Sequence, residues 1–252
     1  MASARTRIWS ISAAALVLGL SACSSGAASS SEQPADGGVD PIEIVSQPET
    51  VGEPISLDLP LDESGAFAFD QWPSACAFAD ETTLSAIFPQ SDEIAQSGTD
   101  RSLSILQVGA AGTREVTVPE ADCTTKVGFP VDELRASDQS VVFVLTTSVE
   151  AAGDADFVER NATPKSGDEV QVGDATCVVA PSGLRYDCAT PQIAFSVTLD
   201  ARPYGQYFGE SESSYVVDGE EQVYSDDVDA FLTMAQEKIL LPVVTANVDR
   251  LA

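Results

Sequence analysis

Cys177 and Cys188 stand at equal distances on either side of Ser182-Gly183, five residues out in each direction. A tight Ser-Gly turn returns the chain antiparallel, and a symmetric hairpin sets residues equidistant from its centre directly opposite one another. Opposed Cα atoms lie about 4.5 to 5.5 Å apart, inside the range that a disulfide spans. The spacing therefore predicts a hairpin stapled by Cys177–Cys188. Of the five cysteines, Cys23 belongs to an N-terminal segment, so Cys76 and Cys123 pair by elimination and tie the start of a helix to a strand. There is no Cys-x-x-Cys and no histidine, which counts against a redox dithiol and a zinc site alike.

Disulfides need an oxidising compartment, and the N-terminus supplies the route. Arg5 and Arg7 precede an apolar run from Ile11 to Leu20, with no acid and too little length for a membrane span. That is the pattern of a secretion signal. It ends in Leu20-Ser21-Ala22-Cys23, which resembles the lipobox of bacterial lipoproteins. The resemblance implies that Cys23 is lipidated and becomes the first residue of the mature chain. Removing residues 1–22 leaves ten bases against the 40 acids, a net charge of −30. Such a surface does not bind phosphate backbones and is repelled by anionic headgroups, so nucleic acid is not an expected partner and the lipid carries the attachment.

From Cys23 to Gly52 the chain is rich in Ser, Ala, Gly, Glu and Pro, buries too little to fold, and reads as a tether. Residues 53–252 read as one α+β domain. Asp80 caps a short helix through Phe88 that Pro89 stops, and a second short helix is expected at Asp154–Ala162. Strands are expected at Ser102–Val108, Arg114–Val118, Cys123–Phe129 and Ser140–Val149. Four more follow at Glu169–Val172, Thr176–Ala180, Leu184–Cys188 and Gln192–Leu199. Tight turns between the later strands favour antiparallel pairing. A closing helix begins at Asp226-Asp227, with Val228, Phe231, Leu232, Ala235 and Ile239 on one face. Pro242 is expected to kink or break it between Leu241 and Val243. The fold class is thus a mainly antiparallel sheet packed by short helices and a C-terminal helix, with two disulfides.

The chemistry is mostly defined by what is missing. Without histidine an acyl-transfer nucleophile lacks its usual base, and neither Gly-rich phosphate cradle occurs. No catalytic residue, metal ligand or cofactor site is assigned. Asp226-Asp227-Val228-Asp229 places three carboxylates in four residues, which suits calcium in part and a helix start better. The segment from Tyr204 to Tyr224 holds four of the five tyrosines and no base. Aromatic faces beside carboxylates suit a sugar or another polar ligand, so Tyr204, Tyr207, Phe208, Tyr215, Tyr224 and Asp227 are the candidate binding residues. The alternative is that these tyrosines cover a sheet edge.

The order of features resembles a group of small actinobacterial cell-envelope lipoproteins of unknown function. The likeness rests on the lipobox, the Ser/Gly-rich tether, Cys76-Ala77-Phe78 ahead of Leu84-Ser85-Ala86-Ile87-Phe88, Cys123 on a strand, and Val172-Gly173-Asp174-Ala175 before a hairpin. Thr124-Thr125-Lys126 stands where some members carry Trp, and the Cys177–Cys188 pair is an addition. The resemblance implies architecture and place, a lipid-anchored domain on the extracytoplasmic face, and supplies no activity. The chain itself is expected to be a monomer that acts by binding or presentation, with an envelope glycan or protein as partner. The alternatives are a carboxylate enzyme acting on envelope glycans and the solute receptor of a transporter, the latter expected to show two α/β lobes.

Overall fold

A computed structural model describes residues 41–106, 112–129, 141–163, 165–201, 214–224 and 227–251. Its centre is a seven-stranded antiparallel sheet in the order β2-β3-β4-β8-β7-β6-β5. The strands are β2 (Glu93–Leu106), β3 (Thr113–Gly128), β4 (Val141–Ala152), β5 (Asp168–Val172), β6 (Ala175–Val179), β7 (Arg185–Ala189) and β8 (Ile193–Ala201). The sheet is the expected one, with its first strands longer than the sequence indicates. Arg114–Val118 and Cys123–Phe129 are two halves of one strand, joined through Pro119-Glu120. There the pairing with β2 shifts register between Thr99 and Arg101, Glu120 takes a left-handed φ of 47°, and its N–H donates to Asp100 Oδ1 at 3.1 Å. Proline cannot donate to a ladder and is tolerated at such a bulge, which is why a strand continues past it.

Cys177 lies directly opposite Cys188 across β6 and β7, bonded, with Cα atoms 4.0 Å apart. Gly183, at φ 73°, makes the turn, its N–H bonded to Ala180 O at 2.8 Å. The second disulfide joins Cys76 and Cys123, Cα atoms 5.1 Å apart, and ties a 3-10 turn at Ala75–Ala79 to β3.

Apolar and polar residues alternate along the C-terminal half of β3, β4 and β6, and the 3-10 turn packs on the apolar face, whereas β8 is buried on both faces from Ile193 to Val197. Phe78 stacks on Phe195 at 4.6 Å between centroids, and Phe88 on Phe143 at 5.0 Å. Thr147 Oγ1 donates to Ala75 O at 2.6 Å, and Gln96 Nε2 donates to Ala79 O at 2.8 Å, so carbonyls freed by the 3-10 turn are satisfied by polar side chains on the same sheet face. Helix α1 (Glu81–Ile87) is capped by Asp80, which accepts from Thr83 N–H at 2.9 Å, and α2 (Ala155–Asn161) by Asp154, which accepts from Phe157 N–H at 2.8 Å.

The C-terminal helix departs from expectation in a specific way. It runs as α3 (Val228–Ala235), a π turn (Gln236–Leu240) and α4 (Leu241–Arg250). Leu241 N–H bonds Gln236 O, five residues back. The proline ring of residue 242 would collide with the carbonyl four residues before it, and the widened turn immediately upstream relieves that conflict without ending the helix. The irregularity is therefore a turn earlier than Leu241–Val243. Phe231, Met234, Ala235 and Ile239 are buried, whereas Val228 is exposed at 47%, so the buried stripe begins one turn later than the sequence pattern suggests.

Ahead of the main sheet, β1 (Ile42–Ile44) pairs in parallel with β9 (Ser214–Val217), which forms a hairpin with β10 (Glu220–Val223). Ile44 is fully buried. β1 lies inside the segment that composition assigns to the tether, so the folded unit starts before Gly52 and the 53–252 boundary is too late. Two isoleucines with period-two spacing, Ile42 and Ile44, suffice to add a strand where a partner edge is available.

Candidate functional site

Tyr204, Tyr207 and Phe208 lie outside the described residues, as does Cys23. Tyr215, on β9, is buried among Tyr224 and Phe231, with ring centroids 5.9 and 5.7 Å away. Tyr224 is half-buried, its hydroxyl donates to Gln222 Oε1, and burial pushes its phenol up from the ordinary value. Asp227 accepts the N–H of Ala230 at 2.9 Å and caps α3. Tyr215, Tyr224 and Asp227 thus build the joint between the small sheet and α3. Asp218, in the Asp218-Gly219 turn of that hairpin, accepts from Ser46 N–H at 2.8 Å, Ser46 Oγ at 2.7 Å and Lys238 Nζ at 3.2 Å.

A different surface gathers polar side chains. On the face of the main sheet away from the helices, register aligns residues from strand to strand. One row runs Ser97, Thr124, Thr146, Thr198 and Arg185 across β2, β3, β4, β8 and β7. The adjacent row runs Thr99, Asp122, Ser148, Ser196 and Asp187 across the same strands. Seven of these ten side chains are hydroxyls. Ser97, Thr99 and Thr146 are exposed, and Thr124, Ser148 and Thr198 are half-buried.

The rows end in a network of four charges. Arg185 donates to Asp187 through Nε at 3.0 Å and Nη2 at 2.7 Å, a two-pronged pair along one strand. Glu150, the extra residue of a bulge where the β4–β8 register shifts between Val149 and Ala151, lies 2.8 Å from Lys165 Nζ and 3.7 Å from Arg185 Nη2. Lys165, in the connection from α2 to β5, also comes within 3.7 Å of Asp187. The hydrogen bond from Arg185 to Asp187 pushes the guanidinium pKa further up despite the desolvation that opposes it. The Glu150 and Asp187 side chains are only 10% and 11% exposed, so the network is mostly withdrawn from water. At the other end of the second row Asp122 lies 3.4 Å from Arg101.

Sequence reading did not single out Glu150, Lys165, Arg185 or Asp187, because two of them reach the cluster only through a bulge and a connection. The signal that does exist is a hydroxyl at alternate positions of two neighbouring strands, Thr146/Ser148 and Ser196/Thr198. Among the described residues no three His, Cys, Asp or Glu side chains are grouped to hold a metal ion. Comparison of this chain with protein-family models, with curated proteins and with solved structures finds no match.

Proposed function

We propose that this chain is an extracytoplasmic lipoprotein, anchored through Cys23 and acting by binding or presentation, with the polar face of the main sheet as its contact surface. The observation that carries the reading is the set of hydroxyls that strand register lines up. The 3-10 turn and both disulfides are on one face of the sheet, while the other carries exposed Ser97, Thr99 and Thr146, with Ser196 buried, next to a charge-balanced cluster. Ordered polar groups on rigid strands are pre-organised, so a ligand that meets them loses less affinity to side-chain ordering than one meeting a loop.

The acid pair that a glycoside-cleaving enzyme would need has its nearest counterpart in Glu150 and Asp187. Two cations fill the space between them, and hydrolysis requires that space for the scissile bond and water. A seven-stranded antiparallel sheet beside a small three-stranded one also differs from the paired α/β lobes of a transporter receptor. Both comparisons favour binding without turnover.

The test is thermal unfolding of the mature lipidated chain in detergent, disulfides intact, against calcium, envelope saccharides and lipids. A ligand at one hundred times its dissociation constant adds roughly 2.7 kcal/mol, a shift of several degrees. The expected result is a stabilising response with the ligand recovered unchanged. Cleavage of a saccharide that is lost in Glu150→Gln or Asp187→Asn would make the protein an enzyme instead.

A further inference from the structure

We infer that the polar sheet face is a strip for an uncharged, hydroxyl-rich polymer, a neutral glycan, laid across the strands with Arg185 at one end. The inference rests on the binding reading above and gives it a ligand class. Neighbouring strands are about 4.8 Å apart, so the row Ser97, Thr124, Thr146, Thr198 offers a hydroxyl at each such step, close to the length of one pyranose residue. Each hydroxyl both donates and accepts, which matches a polymer whose own groups do the same. At the end of the row, the Arg185 guanidinium and Asp187 carboxylate lie hydrogen-bonded along one strand. Asp187, 11% exposed, gives both carboxylate oxygens to Arg185 and so fixes the guanidinium, while Arg185, 38% exposed, is the side chain that can donate to a sugar hydroxyl at this end.

Charge selects the uncharged class. The mature chain carries −30 overall, yet Asp122 is matched by Arg101, and Glu150 with Asp187 by Lys165 with Arg185. An anionic polymer gains nothing from a strip balanced in this way and is repelled by the rest of the surface. A protein partner would bring an apolar anchor, and the two rows offer it no apolar side chain.

Affinity electrophoresis of the mature chain in detergent, in gels containing hydroxyethyl cellulose, dextran or carboxymethyl cellulose, separates the cases. Expected is retardation in one or both neutral polymers, unchanged by added salt, and none in carboxymethyl cellulose. Thr146→Asp puts a charge in the middle of the row at an exposed position and should weaken retardation at least tenfold. The double variant Thr124→Val, Thr198→Val keeps β-branched shapes and strand propensity while removing two hydroxyls, and should do the same. Far-ultraviolet dichroism and unchanged unfolding temperature show that both variants are folded. Retardation only in the anionic polymer, in none of the three, or equally in wild type and both variants overturns the inference. In the last case, or where calcium or a lipid stabilises the chain but no glycan binds, binding as the function survives and only this face and ligand class fall.

Discussion

Arg250 holds three segments together. Its side chain is 5% exposed, Nε donates to Glu53 O at 2.8 Å and Nη1 to Ala77 O at 2.9 Å, while Nη2 approaches Asp80 Oδ2 at 3.9 Å. Burial pulls the guanidinium pKa down, against the pull of Asp80 and Glu53. One turn earlier Asn247 Nδ2 donates to Phe78 O at 2.7 Å. The last helix thus clamps the segment at Glu53 and the disulfide-bearing 3-10 turn. Arg250→Ala should cost about 3 kcal/mol in urea unfolding, because buried carbonyls lose their donors. Arg250→Lys should recover little, since one ammonium cannot fork to two chain segments. Asp218 gives a pH-dependent counterpart. Partial burial works to raise its pKa, but the Ser46 and Lys238 hydrogen bonds outweigh it and leave the pKa lowered. A carboxylate with a folded pKa below its unfolded value contributes stability above about pH 4 and loses it as pH falls through the folded value. Wild type should therefore lose stability faster than Asp218→Asn on acidification from pH 5 to 3, and the two unfolding curves should converge. Parallel curves across that range would remove Asp218 from the account. None of this was legible in the sequence, where Arg250 is one base near the C-terminus and Asp218 one acid among 40.

Elements were more legible, and the successes share a cause. The Asp80 cap, the short helix after Asp154, the Ser182-Gly183 turn and the cysteine spacing are local signals, each decided by a few neighbouring residues, and each is where the sequence places it. The failures are non-local. β1 exists only because β9 offers an edge, and the π turn exists because Pro242 must be accommodated inside a packed helix. The β9–β10 hairpin is a different omission, because Asp218-Gly219, a strong local turn signal after Tyr215-Val216-Val217, could have revealed it. The polar rows are again non-local: alternation gives each strand its faces, but only the register lines the hydroxyls up. The two disulfides should differ in what they contribute. Cys177–Cys188 closes a loop of 11 residues and Cys76–Cys123 one of 47. In the chain-entropy account these are worth about 3 and about 4 kcal/mol. Replacing Cys76 and Cys123 by Ala should therefore lower stability by about 1 kcal/mol more than replacing Cys177 and Cys188. Denaturant melts of the two double variants measure the difference.

For the whole molecule, the proposed anchor and the charge act together. A mature chain cut at Cys23 would carry −30 and gain no help from anionic headgroups, so in this proposal the lipid alone carries the attachment. Cys23→Ser should shift the protein from the membrane fraction to the soluble fraction, with the same disulfides and unfolding temperature. Retention of that variant on membranes would assign attachment to another surface. Both disulfides lie on one face of the sheet, and on the other Ser97, Thr99 and Thr146 are exposed, the side chains through which the proposed ligand meets the hydroxyl rows. Threonine methyl resonances of the mature chain, followed while cellohexaose and, separately, isomaltohexaose are added, test this most directly, a response to either being the predicted result. Thr99, Thr124, Thr146 and Thr198 should shift together and saturate with one affinity, while Thr83, Thr125 and Thr147, buried on the helix side, stay in place. Shifts confined to other threonines, or no shift in the four with either sugar, would contradict the claim.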